Sequence, residues 1–246
     1  MNRLRALWRL ARLVVHGLHC IAVCALLFPF LGPAARSRRV GWACKRALRC
    51  LGIALVQHGH PRPGPVLTVA NHISWLDILA LDAVRPMRFV SKADVQAWPV
   101  LGWIIACGGT IFIERERKRD AMRVLHQVAA ALQAGDGVAV FPEGTTNEGR
   151  ELLPFHANLL QAAVRTGVAV QPVALSYSDR GAARSKAAVW VGETTLAQSL
   201  WRIAISEGLT VTVRLLAPMQ SPGVERRDLA RRARDCIGSA LGDAGR

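Results

Sequence analysis

Along most of this chain short apolar runs alternate with longer amphipathic stretches, and the two periods predict two kinds of element. The runs "VLTVA" (66–70), "RFVS" (88–91), "TIFI" (110–113), "GVAVF" (137–141), "VAVQPVAL" (168–175), "AAVWV" (187–191) and "LTVTVRLL" (209–216) read as strands. Residues 117–134, 155–166 and 225–241 read as helices. Strands interleaved with helices predict an α/β fold with a mixed, mostly parallel sheet and flanking helices. Pro172 places its strand at a bulge or an edge.

The first fifty residues follow a different pattern. From Leu13 to Ala35 there is no charged side chain, and these 23 residues are long enough to cross a hydrocarbon core of ~30 Å as a helix. His16, His19, Pro29, Gly32 and Pro33 interrupt the apolar character. Arg3, Arg5, Arg9 and Arg12 precede the stretch, and Arg36, Arg38 and Arg39 follow it. A helix lying in the membrane interface, or a hairpin returning to the cytoplasmic side, accounts for positive charge on both flanks. The same charges oppose a cleaved export signal. Residues 40–56 predict a second interfacial helix running into a strand, and "HGHPRPGP" (58–65) is a turn by composition. The chain therefore divides near residue 50, into an N-terminal membrane-associated helical segment (1–50) and an α/β domain (51–246).

Charge sharpens this division. Eleven Lys or Arg precede Asp77, the first acidic residue, whereas from Asp77 onward 21 basic and 17 acidic residues nearly cancel. A basic, apolar N-terminus suits an anionic membrane surface on the cytoplasmic face of the inner membrane. One Tyr and six Phe leave little surface for stacking bases, which argues against nucleic acid. Six cysteines without a CxxC pair or zinc-type spacing predict free thiols in a reducing compartment and no structural metal.

Candidate chemistry begins directly after the first strand, at "NHISWLD" (71–77). A capping box with Ser74 as N-cap and Asp77 at the third helical position accounts for two of these residues and leaves Asn71 and His72 idle. Alternatively, His72 in the turn and Asp77 in the first helical turn bring carboxylate and imidazole together. The carboxylate then fixes the tautomer and raises the basicity of the far ring nitrogen, at the strand end where open α/β sheets bind ligands. Three more blocks follow. "GTIFIER" (109–115) ends in Arg115, a fork suited to phosphate or simply one charge of a solvated run. "FPEGTTNEGR" (141–150) carries Gly144, which lets the backbone approach a ligand, or it is an ordinary loop. "QPVAL" (171–175) is core strand by composition.

In this order and spacing the four blocks resemble those of the glycerolipid acyltransferase family, which includes the 1-acyl-sn-glycerol-3-phosphate acyltransferases, over roughly residues 50–217. "NHISWLD" looks like that family's His-x4-Asp block. The resemblance implies that His72 and Asp77 are catalytic and that Arg115, Glu143, Gly144 and Thr145 bind the acceptor. Lys92 matches a position commonly basic in relatives and assists. Thr146 and Asn147 stand where many relatives carry Arg-Ser, and His156 where Lys is frequent. The implied reaction moves an acyl group from a thioester, acyl-CoA or acyl carrier protein, to a lysophospholipid hydroxyl, with no cofactor and no metal. A GxSxG elbow is absent, so no side chain need be acylated. A lyso-ornithine lipid is the alternative acceptor, and a non-enzymatic lipid or nucleic-acid binder would explain the charge but not the four blocks.

Overall fold

In the computed structural model, which describes residues 2–113 and 118–243, the apolar runs assemble into one seven-stranded sheet. The strands are β1 (Ala54–His58), β2 (Val66–Ala70), β3 (Arg88–Lys92), β4 (Ile111–Ile113), β5 (Gly137–Val140), β6 (Val170–Ser178) and β7 (Thr210–Leu215). Their order across the sheet is β1-β7-β6-β2-β5-β3-β4, and every pairing is parallel except β6 with β7. The parallel set places the carboxyl ends of β2, β3, β4 and β5 on one edge. β2 and β5 are buried throughout, as strands covered on both faces must be.

The helices are α1 (Asn2–Leu26), α2 (Pro33–Leu51), α3 (Leu76–Val84), α4 (Leu101–Cys107), α5 (Lys118–Gln133), α6 (Gln161–Thr166), α7 (Leu196–Ile205) and α8 (Arg226–Asp243). Leu48 and Leu51 of α2, Leu76 and Leu81 of α3 and Ile203 of α7 pack on one face of the sheet, against Val173, Leu175 and Val211. Val124, Val128 and Leu132 of α5 and Leu229 and Ile237 of α8 pack on the other, against Leu67, Val69, Val138 and Val140. Side chains that alternate along each strand supply both layers.

Three expectations need correction. Residues 187–191 form no strand, because loops already occupy the peptide groups of Trp190: its N–H donates to Ile73 O (3.1 Å) and its carbonyl accepts from the Thr146 hydroxyl. Pro172 lies in a central strand. Its carbonyl accepts from Leu216 N (3.0 Å) on the β7 side, just beyond the last paired residue, Leu215, so its missing N–H costs little at the end of that ladder. The helix expected over 155–166 is regular only from Gln161.

The N-terminal helices form a hairpin docked on the domain. Along α1 the exposed residues Leu4, Leu7, Trp8, Val14, Val15, Leu18 and Leu26 recur at helical spacing and make an outward apolar stripe. Polar residues point inward instead. Arg5 bonds Ile205 O (3.3 Å) and Glu207 (2.9 Å), and Arg9 bonds Ala204 O (2.9 Å) and Ser206 O (2.8 Å), so both complete the carbonyl end of α7. Buried His16 bonds Ala43 O of α2 (2.9 Å). These two arginines therefore hold α1 to the domain and are not spare charges for a membrane surface. Among the described residues, α1 is the one helix long and apolar enough to cross a membrane.

At the junction of α2, α3 and β3, Asp82 is buried; its carboxylate accepts from Met87 N (2.9 Å) and lies 3.9 Å from the Cys44 thiol. Burial pushes its carboxyl up to about 7 from an ordinary 3.8, against the pull of the Met87 amide. The folded protein then keeps a proton that the unfolded chain has released, so this group removes stability as pH rises from about 4 to about 7. Asp82→Asn should flatten that dependence, read as urea midpoints at about pH 5 and about pH 8 beside the native protein.

Candidate active site

β2 ends at Ala70, and the turn that follows is pinned by its own side chains. Asn71 acts as a false strand residue: its amide donates to Leu175 O (3.0 Å) and its carbonyl accepts from Leu175 N (2.8 Å), prolonging the attachment to β6. The chain then turns into α3, whose first turn carries Asp77. Asp77 is fully buried, and its Oδ2 accepts from His72 Nδ1 (2.8 Å), Ile73 N (2.7 Å) and Ser74 N (2.9 Å), while Oδ1 accepts from the Tyr177 hydroxyl (2.6 Å). Two of those donors are backbone amides, which cannot reverse roles, so the arrangement fits a carboxylate. Nδ1 of His72 therefore carries the proton, and Nε2, with no partner among the described residues, presents its lone pair.

The turn after β5 completes the setting. The Phe141 ring stacks on the His72 ring with centroids 4.0 Å apart and planes 12° from parallel. Glu143 is buried; Oε1 accepts from His72 N (2.8 Å), and Oε2 accepts from Leu153 N (2.9 Å) and the Asn147 amide. Burial raises its carboxyl above the usual range, opposed by these same donors and by His72. Asn147 N donates in turn to His72 O (3.0 Å). The backbone of His72 is thus held at both its N–H and its carbonyl by residues of one block. Gly144 adopts φ +75°, a conformation that favours glycine.

The structure brings His72, Asp77 and Glu143 into one network, with Gly144 half-buried and Thr145 exposed beside it. Lys92 ends β3, exposed, on the same edge of the sheet. Arg115 lies outside the described residues, two positions beyond the end of β4. The capping-box expectation is half met: Asp77 accepts from Ser74 N, but the buried Ser74 hydroxyl has no hydrogen-bond partner among the described residues. Tyr177 carried no signal in the sequence, because its tie to Asp77 spans 100 residues of chain. Trp190 also went unrecognised; its ring stacks on Trp98 (centroids 6.2 Å) and meets Trp75 edge-on (6.4 Å), beside the turn that carries His72. Clefts of about 630 and 640 Å³ lie around Arg180 and Arg202 and around Arg88 and Arg123, and neither is lined by His72. Among the described residues no group of three His, Cys, Asp or Glu is placed to hold a metal.

An imidazole with one nitrogen held by a buried carboxylate and the other free can take a proton from a bound hydroxyl. Asp77→Asn, which exchanges an acceptor for a donor beside Nδ1, should lower kcat about 10³-fold or more. The Michaelis constant should change little, as steady-state kinetics will measure.

The family model "Acyltransferase" matches residues 55–176. A lyso-ornithine lipid O-acyltransferase of Pseudomonas aeruginosa is 38% identical over 98% of this chain and 95% of its own length. A 1-acyl-sn-glycerol-3-phosphate acyltransferase of Neisseria gonorrhoeae is 41% identical over 74% of this chain and 71% of its own. The crystal structure of the 1-acyl-sn-glycerophosphate acyltransferase PlsC of Thermotoga maritima shares the fold, with a TM-score of 0.75 at 20% identity over 99% of this chain and 97% of that one.

Proposed function

The chain belongs to the acyltransferase family, and from that premise we propose that it transfers an acyl group from a thioester to the sn-2 hydroxyl of 1-acyl-glycerol-3-phosphate, giving phosphatidic acid at a membrane surface. The observation that carries the reading is the His72–Asp77 contact of 2.8 Å with Nε2 unpartnered among the described residues, at the carboxyl edge of the sheet. The acceptor hydroxyl donates its proton to Nε2 while its oxygen attacks the thioester carbonyl. Asp77 stabilises the imidazolium, which returns the proton to the departing thiolate. An ester and a free thiol result, and no side chain is acylated.

Lys92, Arg115, Gly144 and Thr145 are assigned to the acceptor head group. Glu143 joins them through the turn it holds, since both its oxygens already accept from the protein. The donor is acyl-CoA or acyl carrier protein, and no cofactor is required. An acceptor with one long chain resides in a bilayer, and the apolar stripe of α1 supports a site that meets it there, on the cytoplasmic face of the inner membrane.

A lyso-ornithine lipid is the second reading, favoured by the relative that aligns along nearly the whole of both chains. Such an acceptor has no phosphate monoester. Thr146 and Asn147, which stand where many relatives carry Arg-Ser, are both engaged within the protein here. A panel of lysolipid acceptors with one labelled thioester separates the two, comparing the native enzyme with Arg115→Ala and His72→Ala. The first reading expects 1-acyl-glycerol-3-phosphate to be preferred and Arg115→Ala to weaken its use by roughly 10- to 100-fold, the loss of a charge-assisted bond. Preference for the lyso-ornithine lipid selects the second. Turnover of any acceptor by His72→Ala at the native rate would refute both.

A further inference from the structure

Tyr177 is the chain's sole tyrosine, and it lies on β6 with its hydroxyl 2.6 Å from Asp77 Oδ1. The side chain is buried, and burial followed by the neighbouring Asp77 pushes its phenol well above the ordinary value, so it remains a neutral donor. Asp77 divides its donors unequally: among the described residues Oδ2 receives His72 and two amides, and Oδ1 receives the phenol. The amides are fixed by the fold, which leaves Tyr177, among the described residues, as the one side chain besides His72 that hydrogen-bonds the carboxylate.

We infer that Tyr177 is a positioning residue that sets the proton affinity of His72 through the carboxylate they share. It rests on the reading of His72 as the base. A stronger phenol donor takes charge from Asp77 and weakens its hold on the imidazolium; a missing donor leaves more charge for His72 and frees Oδ1 to turn. The direction of both effects follows from charge-assisted hydrogen bonding. A tyrosine serving only as packing would do neither.

Because the chain holds one tyrosine, growth on 3-fluorotyrosine labels Tyr177 alone. The fluorinated phenol is more acidic and a stronger donor, so the acid limb of the kcat/KM profile should move to lower pH. Tyr177→Phe should move it to higher pH and lower kcat about tenfold, as expected when a buried charge loses one donor. The single fluorine resonance of the labelled, detergent-solubilised enzyme should also show a pH step that His72→Ala abolishes. Other ionisable side chains near the network are Glu143 from the turn after β5, Asp82 further along α3, and Asp179 two residues beyond Tyr177, tied to Gly181 N. Asp82→Asn should leave the fluorine step in place.

Coincident acid limbs in all three proteins and a fluorine signal indifferent to His72→Ala would overturn the inference. If Tyr177→Phe does not fold, the fluorotyrosine enzyme still decides it. A fluorine step coupled to His72 in a protein that acylates no lysolipid would sink the proposed function and leave the coupling standing. Loss of transfer in His72→Ala without any coupling would do the reverse.

Discussion

A single buried carboxylate organises the turn that carries His72. Asp77 has no exposed surface and accepts four hydrogen bonds, from one imidazole, two backbone amides and one phenol. Taking a carboxylate out of water costs several kcal/mol, and a hydrogen bond to a charged group returns about 1.5 to 3 kcal/mol net. One partner would not offset the burial; four do. Removing the carboxyl group would leave the amides of Ile73 and Ser74 and the phenol without this acceptor, so the turn, the first turn of α3 and the ring of His72 form one unit.

That unit is fastened to both neighbours of β2 in the sheet. Asn71 clasps both peptide groups of Leu175 on β6, Glu143 after β5 takes the amide of His72, and Phe141 backs the ring. Parallel pairing of β2 with both β5 and β6 puts all these residues at the same edge. The imidazole consequently has little freedom except to exchange a proton at Nε2. The surrounding peptide groups are equally committed: Ile73 O accepts from Trp190 N and His72 O from Asn147 N. A site so fully bonded is prepared before any substrate arrives, which is how positioned groups lower a barrier.

Much of this was legible along the chain, and the exceptions have physical causes. Strands β2, β3 and β5 and the helices α5 and α8 follow apolar spacing closely because burial on the sheet dictates it. His72 with Asp77 was legible because five residues separate them across one turn. Tyr177 and the Asn71–Leu175 clasp were not, since both depend on β6 lying beside β2, a fact of sheet order. "AAVWV" has strand composition, but composition cannot say that the loops around His72 will claim the peptide groups of Trp190. The inward set of Arg5 and Arg9 was hidden for a similar reason: α7 offers unpaired carbonyls only once it has docked. α7 itself carried a signal, the capping box Thr195-x-x-Gln198, that apolar spacing alone passes over.

The tautomer of His72 is the most direct test of this arrangement. Nitrogen-15 spectra of histidine-labelled enzyme in detergent, assigned with His72→Ala, report which ring nitrogen carries the proton above the titration of the ring. The Asp77 network requires a protonated Nδ1 and a bare Nε2. A proton on Nε2, or rapid exchange between the two forms as for a free imidazole, would contradict it.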